Sequence, residues 1–405
     1  MTPSYAETAP RDARRAAALV AAACVLQVAE SLIPHPVPGV RLGLANIVTL
    51  ITLAELGFRA ALEVALLRTV VASLVLGSFL TPGFLLSFFS AAASTCVMAA
   101  LWSLSRRFPA WGFSVVGVSV AGAVAHNASQ LYLAYLLLIR HESIFYFVPW
   151  LAVSGVVMGW LVALVAAEVL GRGGTFSGSV TAVSGRAPAR RRPVLPALAP
   201  EWKIAVAGAL LLLAAFARAP LVFALLALSL LALMAAARLP AAGYASLLRR
   251  LRGLSWLALA SFFFPLLFTP GGAGTALFTA GPFVIAREGL ASGSVFAARI
   301  LMMGWIGFLL NVCAAPAEIA AGLARLGGPL SRFGFPAERL GAVIGMTLEE
   351  LPSFSARARS AVSAAVAGGG WRRGGVRWSV GLAAGVIAGM CSPGGGAAGS
   401  EAAAA

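Results

Sequence analysis

The chain has 405 residues, of which 60% are hydrophobic and only 11% charged, with a formal net charge of +16. Soluble domains run to about 45–50% apolar and about 25% charged residues, so a soluble multidomain protein is excluded and most of the surface must face lipid. The positive balance is nearly all arginine, since Lys203 is the sole lysine and Asp12 the sole aspartate; arginines that hold loops on the cytoplasmic side explain it better than nucleic-acid binding.

A membrane-crossing helix needs about 20 apolar residues. Residues 1–15 carry Arg11, Arg14 and Arg15 and are expected to form a cytoplasmic tail. The run at 16–33 resembles a signal peptide, but no small-residue cleavage site follows it, so it is read as the first of six spans. The others are 43–57, 62–80, 84–104, 113–138 and 146–170, the second short enough to be tilted or re-entrant. Proline, glycine and charge fill the breaks, as in Pro34-His35-Pro36, Gly57-Phe58-Arg59, Thr81-Pro82-Gly83 and Arg106-Arg107. With the N-terminus inside, Arg59, Arg106, Arg107 and Arg172 fall inside, and only Arg41 and Arg140 fall outside.

Residues 171–202 are rich in glycine, serine and proline and carry Arg186, Arg190, Arg191 and Arg192, which makes them a flexible, basic, cytoplasmic linker. A second module, 203–391, has apolar runs at 203–217, 220–237, 254–269 and 294–312. Arg249, Arg250 and Arg252 are expected between the second and third of these runs, on the inside, and the Gly/Pro-rich stretch 270–282 on the outside. Residues 316–366 are charged, with Ile319, Leu323, Leu326 and Leu330 at helical spacing, which predicts amphipathic helices rather than spans. The run at 377–391 either crosses or lies flat, and 392–405 is a low-complexity tail expected to be disordered. The fold class is therefore all-α: a polytopic membrane protein with a six-helix bundle, a linker and a second helical module.

Absences narrow the chemistry. One aspartate excludes the clustered carboxylates that hold magnesium and diphosphate in a prenyl diphosphate synthase. No G-x-x-x-x-G-K-[ST], G-x-S-x-G or H-E-x-x-H is present. The four cysteines are scattered without C-x-x-C or Cys/His pairing, and Cys24 and Cys96 are expected to be small core residues. Neither catalysis nor a cofactor or metal is expected; transport or membrane assembly remains.

Polar groups inside spans are costly and mark function by default. Gln27 and Glu30 share a face of the first span, Asn46 opens the second, Arg68 lies within the third, and His126, Asn127 and Gln130 lie in the fifth. These groups are expected to converge on a small polar or anionic solute between helices. The plainer readings are that Gln27 and Asn46 bond neighbouring helices, and that Arg68 snorkels to headgroups or pairs with Glu63. His35 and His141 are loop residues with no assigned role. Ala17-x-x-x-Ala21 and Ala18-x-x-x-Ala22 offer a close approach to another helix.

Glu30-Ser31-Leu32-Ile33-Pro34, the run from Pro38-Gly39-Val40-Arg41-Leu42 through Gly43-Leu44-Ala45-Asn46, Gly57-Phe58-Arg59, Leu67-Arg68 and the stretch ending Ala125-His126-Asn127 resemble the heptaprenyl diphosphate synthase component I (Gx transporter) family. That family is similar to the six-helix substrate-binding components of energy-coupling factor transporters. Arg287-Glu288-Gly289-Leu290 with Arg299, Pro316-Ala317-Glu318-Ile319, Leu323-Ala324-Arg325-Leu326-Gly327-Gly328-Pro329 and Leu351-Pro352 resemble the transmembrane coupling component of the same transporters.

The two resemblances imply a fused importer subunit of the plasma membrane that works with separately encoded ABC-type ATPases. They imply solute contact at Asn46, Arg68, His126, Asn127, Gln130, Glu30 and Arg41. ATPase coupling is implied at Arg357, Arg359 and Ser360, within a tripeptide Ala358-Arg359-Ser360 that sits closer behind Pro352 than the family pattern has it. Arg41, Arg68 and His126 suit an anion, with isoprenoid precursors and neutral vitamins both open. The alternative implied by the first family's name is a membrane accessory of a prenyl diphosphate synthase or quinone pathway.

Overall fold

The computed structural model describes residues 11–32, 43–108, 112–171, 198–236, 241–269, 276–280, 283–329, 337–367 and 376–391. Expectations placed on residues 1–10, His35, Arg41, Arg172, the 172–197 part of the linker, Leu330 and the 392–405 tail lie outside these.

The first module contains α1 (Arg11–Leu32), α2 (Leu44–Leu56), α3 (Phe58–Leu76), α4 (Pro82–Arg107), α5 (Val115–Leu137), a 3₁₀ turn (Glu142–Phe147) and α6 (Val148–Gly171). Capping chemistry fixes their ends. Gly57 separates α2 from α3 with φ 85, a left-handed value that a side chain resists. Thr81 caps α4, its Oγ1 accepting from the Phe84 N–H, with Pro82 in the first turn. The Ser114 hydroxyl accepts from Gly117 N–H at the start of α5. Gly155 and Gly159 lie where α6 meets α5; a Cβ on Gly159 would sit 2.6 Å from the Cα of Val120, so only glycine allows this approach.

The second module contains α7 (Pro200–Phe216), α8 (Pro220–Ala236), α9 (Ala241–Phe268), β1 (Ala276–Ala280), β2 (Phe283–Ala286), α10 (Arg287–Cys313), α11 (Pro316–Gly327), α12 (Ala337–Ala367) and α13 (Val376–Cys391). The antiparallel β1–β2 ribbon, with Ala280 opposite Phe283, corrects the all-α expectation: the fold is nearly all-helical. The Gly/Pro content of 270–282 hid short runs of strand-forming residues, Leu277-Phe278-Thr279 and Phe283-Val284-Ile285.

Arg249, Arg250 and Arg252 lie inside α9, because arginine is a good helix former and the helix begins well before its apolar run. Helix α7 likewise starts at Pro200, within the stretch expected to be linker. Four helical stretches among the described residues are long and apolar enough to cross a membrane: α4, the 3₁₀ turn with α6, α9 and α10.

One connected apolar core runs through both modules, from Ala13 to Met390. Helix α12 packs along α1, where Ala17, Ala18, Ala21, Ala22 and Ala23 are buried. The small-residue spacing read from the sequence thus lies at a real helix–helix contact. There the Thr347 hydroxyl donates to Val343 O at 2.6 Å and approaches Ala17 O at 3.5 Å. Arg339 of α12 grips Glu63 of α3 through two bonds, at 2.9 and 3.1 Å.

The far end of the first bundle meets the second module's long helices side-on. Arg250 Nη1 donates to Leu76 O and Gly77 O, both at 2.7 Å, and Asn311 Nδ2 donates to Phe79 O at 2.8 Å. Arg299 donates to Leu138 O at 3.0 Å and Ala217 O at 2.8 Å, and Thr269 meets His141 at 3.3 Å. The α3–α4 turn and the end of α5 belong to the same end of the bundle. Yet on α9 the groups they touch, Arg250 and Thr269, are roughly 28 Å apart along the helix at 1.5 Å per residue. The first bundle therefore abuts α9 and α10 end-on.

Candidate functional site

Helices α1 to α6 enclose a cavity of about 500 Å³, within the range of small-molecule sites. Gln27, Glu30, Asn46, Arg68, His126, Asn127 and Gln130 all line it. The structure brings together six of the seven residues expected to touch solute; Arg41 lies outside the described residues.

Arg68 is the centre of this wall. It is only 6% exposed, and three helices fix it. Its Nη1 donates to Gln27 Oε1 of α1 at 3.3 Å, and its Nη2 makes a short bond to Asn46 Oδ1 of α2. A guanidinium has donors only, so both carboxamides must turn their oxygens to it. Neither snorkelling nor a bond to Glu63 accounts for Arg68; Glu63 is engaged by Arg339.

Glu30 has a definite structural job. Its two carboxylate oxygens accept from Gly43 N–H at 2.9 Å and Leu44 N–H at 3.1 Å, capping the amino end of α2. Unbonded N–H groups and the helix dipole favour a negative charge there. Gly43 takes the left-handed φ of 73 that brings its N–H to Glu30. Asn127 also bridges helices, its Nδ2 donating to Leu151 O at 2.9 Å and Ser154 Oγ at 3.2 Å on α6. His126 and Gln130 stand beside it on the cavity wall.

The sequence reading missed the hydroxyls. Thr69, Ser73, Ser78, Thr81, Ser87, Ser94 and Ser119 also line the cavity. Ser94 bonds Gly122 O and Ser119 bonds Gly159 O, both at 2.7 Å, joining α4 to α5 and α5 to α6. Their signal was weak because serine and threonine commonly bond the preceding turn of their own helix without any ligand.

Among the described residues no group of three or more His, Cys, Asp or Glu could hold a metal ion. Cys24 is buried, but Cys96 is exposed, correcting the expectation that it is a core residue; its face of α4 points away from the bundle. The residues expected at the ATPase contact lie on α12. Arg357 stacks over the Phe354 ring at 4.2 Å, the Ser360 hydroxyl donates to Arg357 O at 2.9 Å, and Arg359 and Ser360 are exposed.

A two-module, nearly all-helical membrane protein with a solute-sized polar cavity in its first bundle is the class that fold and cavity define. In comparison with known families, residues 19–169 match the model of the heptaprenyl diphosphate synthase component I family and residues 192–349 that of the cobalt transport protein family. The second match starts inside the stretch expected to be linker. No curated protein and no solved structure matches the chain.

Proposed function

We propose that the chain is a multi-pass plasma-membrane subunit of an energy-coupling factor type ABC importer, in which one polypeptide captures a small solute and transmits the work of separately encoded ATPases. The observation that carries this is the joining of two parts. The first bundle encloses a polar cavity, and it is packed, through α1, against an amphipathic helix of a module that matches a transport family. On this reading the N-terminus, the linker and α11–α12 are cytoplasmic, the solute is held at Asn46, Arg68, His126, Asn127 and Gln130, and the chain itself catalyses no reaction. Cobalt is a poor cargo for this cavity. Among the described lining residues the charged groups are one arginine and one carboxylate committed to a helix end, whereas a divalent cation takes several anionic or imidazole ligands.

Coupling falls to the exposed tripeptide on α12. An arginine docked in an acidic groove of a partner makes charge-assisted bonds, and truncating a buried interfacial charge costs about 2–5 kcal/mol. Arg359→Glu is therefore expected to abolish co-purification with the cognate ATPases, while solute binding, which belongs to the other module, survives. Equal recovery of ATPases with wild type and variant would overturn the docking role. The name of the family matched by residues 19–169 favours a second reading, a non-transporting accessory to a prenyl diphosphate synthase. Under that reading a soluble synthase, and no P-loop ATPase, co-purifies.

A further inference from the structure

The hydrogen-bond economy of the cavity divides it into a donor end and an acceptor wall. At the donor end, Gln27 and Asn46 point their carbonyl oxygens at Arg68. Each amide group therefore turns its NH₂ away from the guanidinium. One fixed cation and two NH₂ donors, on three different helices, make a cradle for a single anionic group. Glu30, the one carboxylate among the described lining residues, spends its hydrogen bonds on the amino end of α2 rather than on the Arg68 guanidinium.

The wall has the opposite character. The hydroxyls of Thr69, Ser73, Thr81, Ser94 and Ser119 each lie 2.6–2.7 Å from a backbone carbonyl oxygen. A carbonyl carries no proton, so in every case the hydroxyl donates and its own proton is spent. What these oxygens retain is acceptor capacity. Asn127 behaves alike: its Nδ2 is committed to Leu151 O and Ser154 Oγ, which leaves its oxygen as the acceptor. A ligand that fits must bring O–H or N–H groups to this wall.

From this division we infer that the cavity's ligand is a small polyhydroxylated anion with one acidic group, its carboxylate or phosphate at Arg68 and its hydroxyls along the Thr69–Ser73–Ser94–Ser119 wall. The inference deepens the reading of the cavity as the solute site. It disfavours a prenyl diphosphate, which carries acceptors and hydrocarbon but no donor. It disfavours a flat conjugated vitamin as well, since Phe84 is the one Phe, Tyr or Trp ring, beside the smaller His126 imidazole, among the described lining residues and stacking surfaces are what such rings use.

The test is thermal unfolding of the purified full-length protein in detergent with defined probes. Gluconate, glycerate and glycerol 3-phosphate supply an anion with hydroxyls, glucose the hydroxyls alone, hexanoate the anion alone, and isopentenyl diphosphate an anion with a hydrocarbon tail. At least one of the first three should raise the midpoint, and glucose, hexanoate and isopentenyl diphosphate should bind at least about tenfold more weakly, the effect of one unmatched buried polar group. Arg68→Gln should abolish the response to the hydroxylated anions. Thr69→Val and Ser73→Ala, which disturb only bonds within α3, should weaken it about tenfold. Stabilisation by hexanoate or isopentenyl diphosphate equal to the best hydroxylated anion would overturn the inference, as would no response to any of the three. Failure here with ATPase recovery intact refutes the ligand class alone. Anion binding without any ATPase partner refutes the importer and leaves the ligand class standing.

Discussion

Arg68 illustrates how a charge is held inside a helical bundle by carboxamides of two neighbouring helices. Burial of a bare cation is costly, and the bonds that Arg68 donates to Gln27 and Asn46 offset part of that cost by replacing water. Lysine would keep the charge but lose the planar fork that reaches two helices at once. Arg68→Lys is thus expected to weaken solute affinity at least about tenfold, as removing a charged hydrogen-bond partner does, with full-length protein still recovered; titration calorimetry with the solute that co-purifies checks it, and unchanged affinity would show that the fork holds helices only. His126→Ala should act in the same direction, since His126 lines the cavity. At this scale the sequence was readable wherever an expensive residue type interrupted a span, as at Arg68 and His126. It was unreadable where the polar group was cheap: Ser94 and Ser119 resemble ordinary small packing residues until the neighbouring helix is in view. Glu30 shows a third outcome, a correctly singled-out residue whose bonds go to the backbone at Gly43 and Leu44 rather than toward the cavity.

Among the elements, α1 and α12 form the seam between the modules, and alanine makes it possible. With Ala17, Ala21 and Ala22 fully buried, a larger side chain has nowhere to go; overpacking a filled core costs about 1–3 kcal/mol. Ala21→Leu should lower the thermal midpoint and expose α12 to proteolysis, while an exposed-position control such as Ala356→Leu changes neither. Limited proteolysis of the purified chain reads this directly. Glu350 lies on the same helix, and burial pushes its carboxyl above the usual 4.5, against the opposing pull of Ser353 and Arg357. A carboxyl with a raised pKa in the folded state contributes its stability below the unfolded value and loses it as pH rises through the folded one. Glu350→Gln should therefore raise the midpoint at neutral pH and have little effect below about pH 4, where glutamate is protonated in either state. An equal effect at both pH values would mean that packing, not ionisation, is responsible. Helix existence was legible from apolar period, whereas helix ends were not: α9 runs back through Arg249, Arg250 and Arg252 because propensity, not hydropathy, decides where a helix starts.

For the whole molecule, the end-on meeting of the bundles is the feature that no local pattern announces. It rests on contacts between residues more than a hundred positions apart, such as Arg250 with Gly77 and Asn311 with Phe79; hydropathy reports how long a helix is, not which way its neighbour points. The proposed orientation relative to the membrane rests instead on the arginines. Arg186, Arg190, Arg191 and Arg192 crowd the linker, and Arg14 and Arg15 stand at the start of α1; translocating such clusters is disfavoured. Helix α12 lies against α1 over its alanine face, and under the proposed function its exposed Arg359 meets ATPases that work in the cytoplasm. On the proposed function one side holds the N-terminus, the linker and α12. On a background in which Cys24, Cys96, Cys313 and Cys391 are replaced, Arg190→Cys and Ser360→Cys are expected to resist a membrane-impermeant maleimide in intact cells and to label fully after permeabilisation. Labelling of position 190 from outside would invert the first module. Labelling of position 360 alone would separate α12 from the compartment of its partners, and with it the proposal that this chain transmits ATP-driven work.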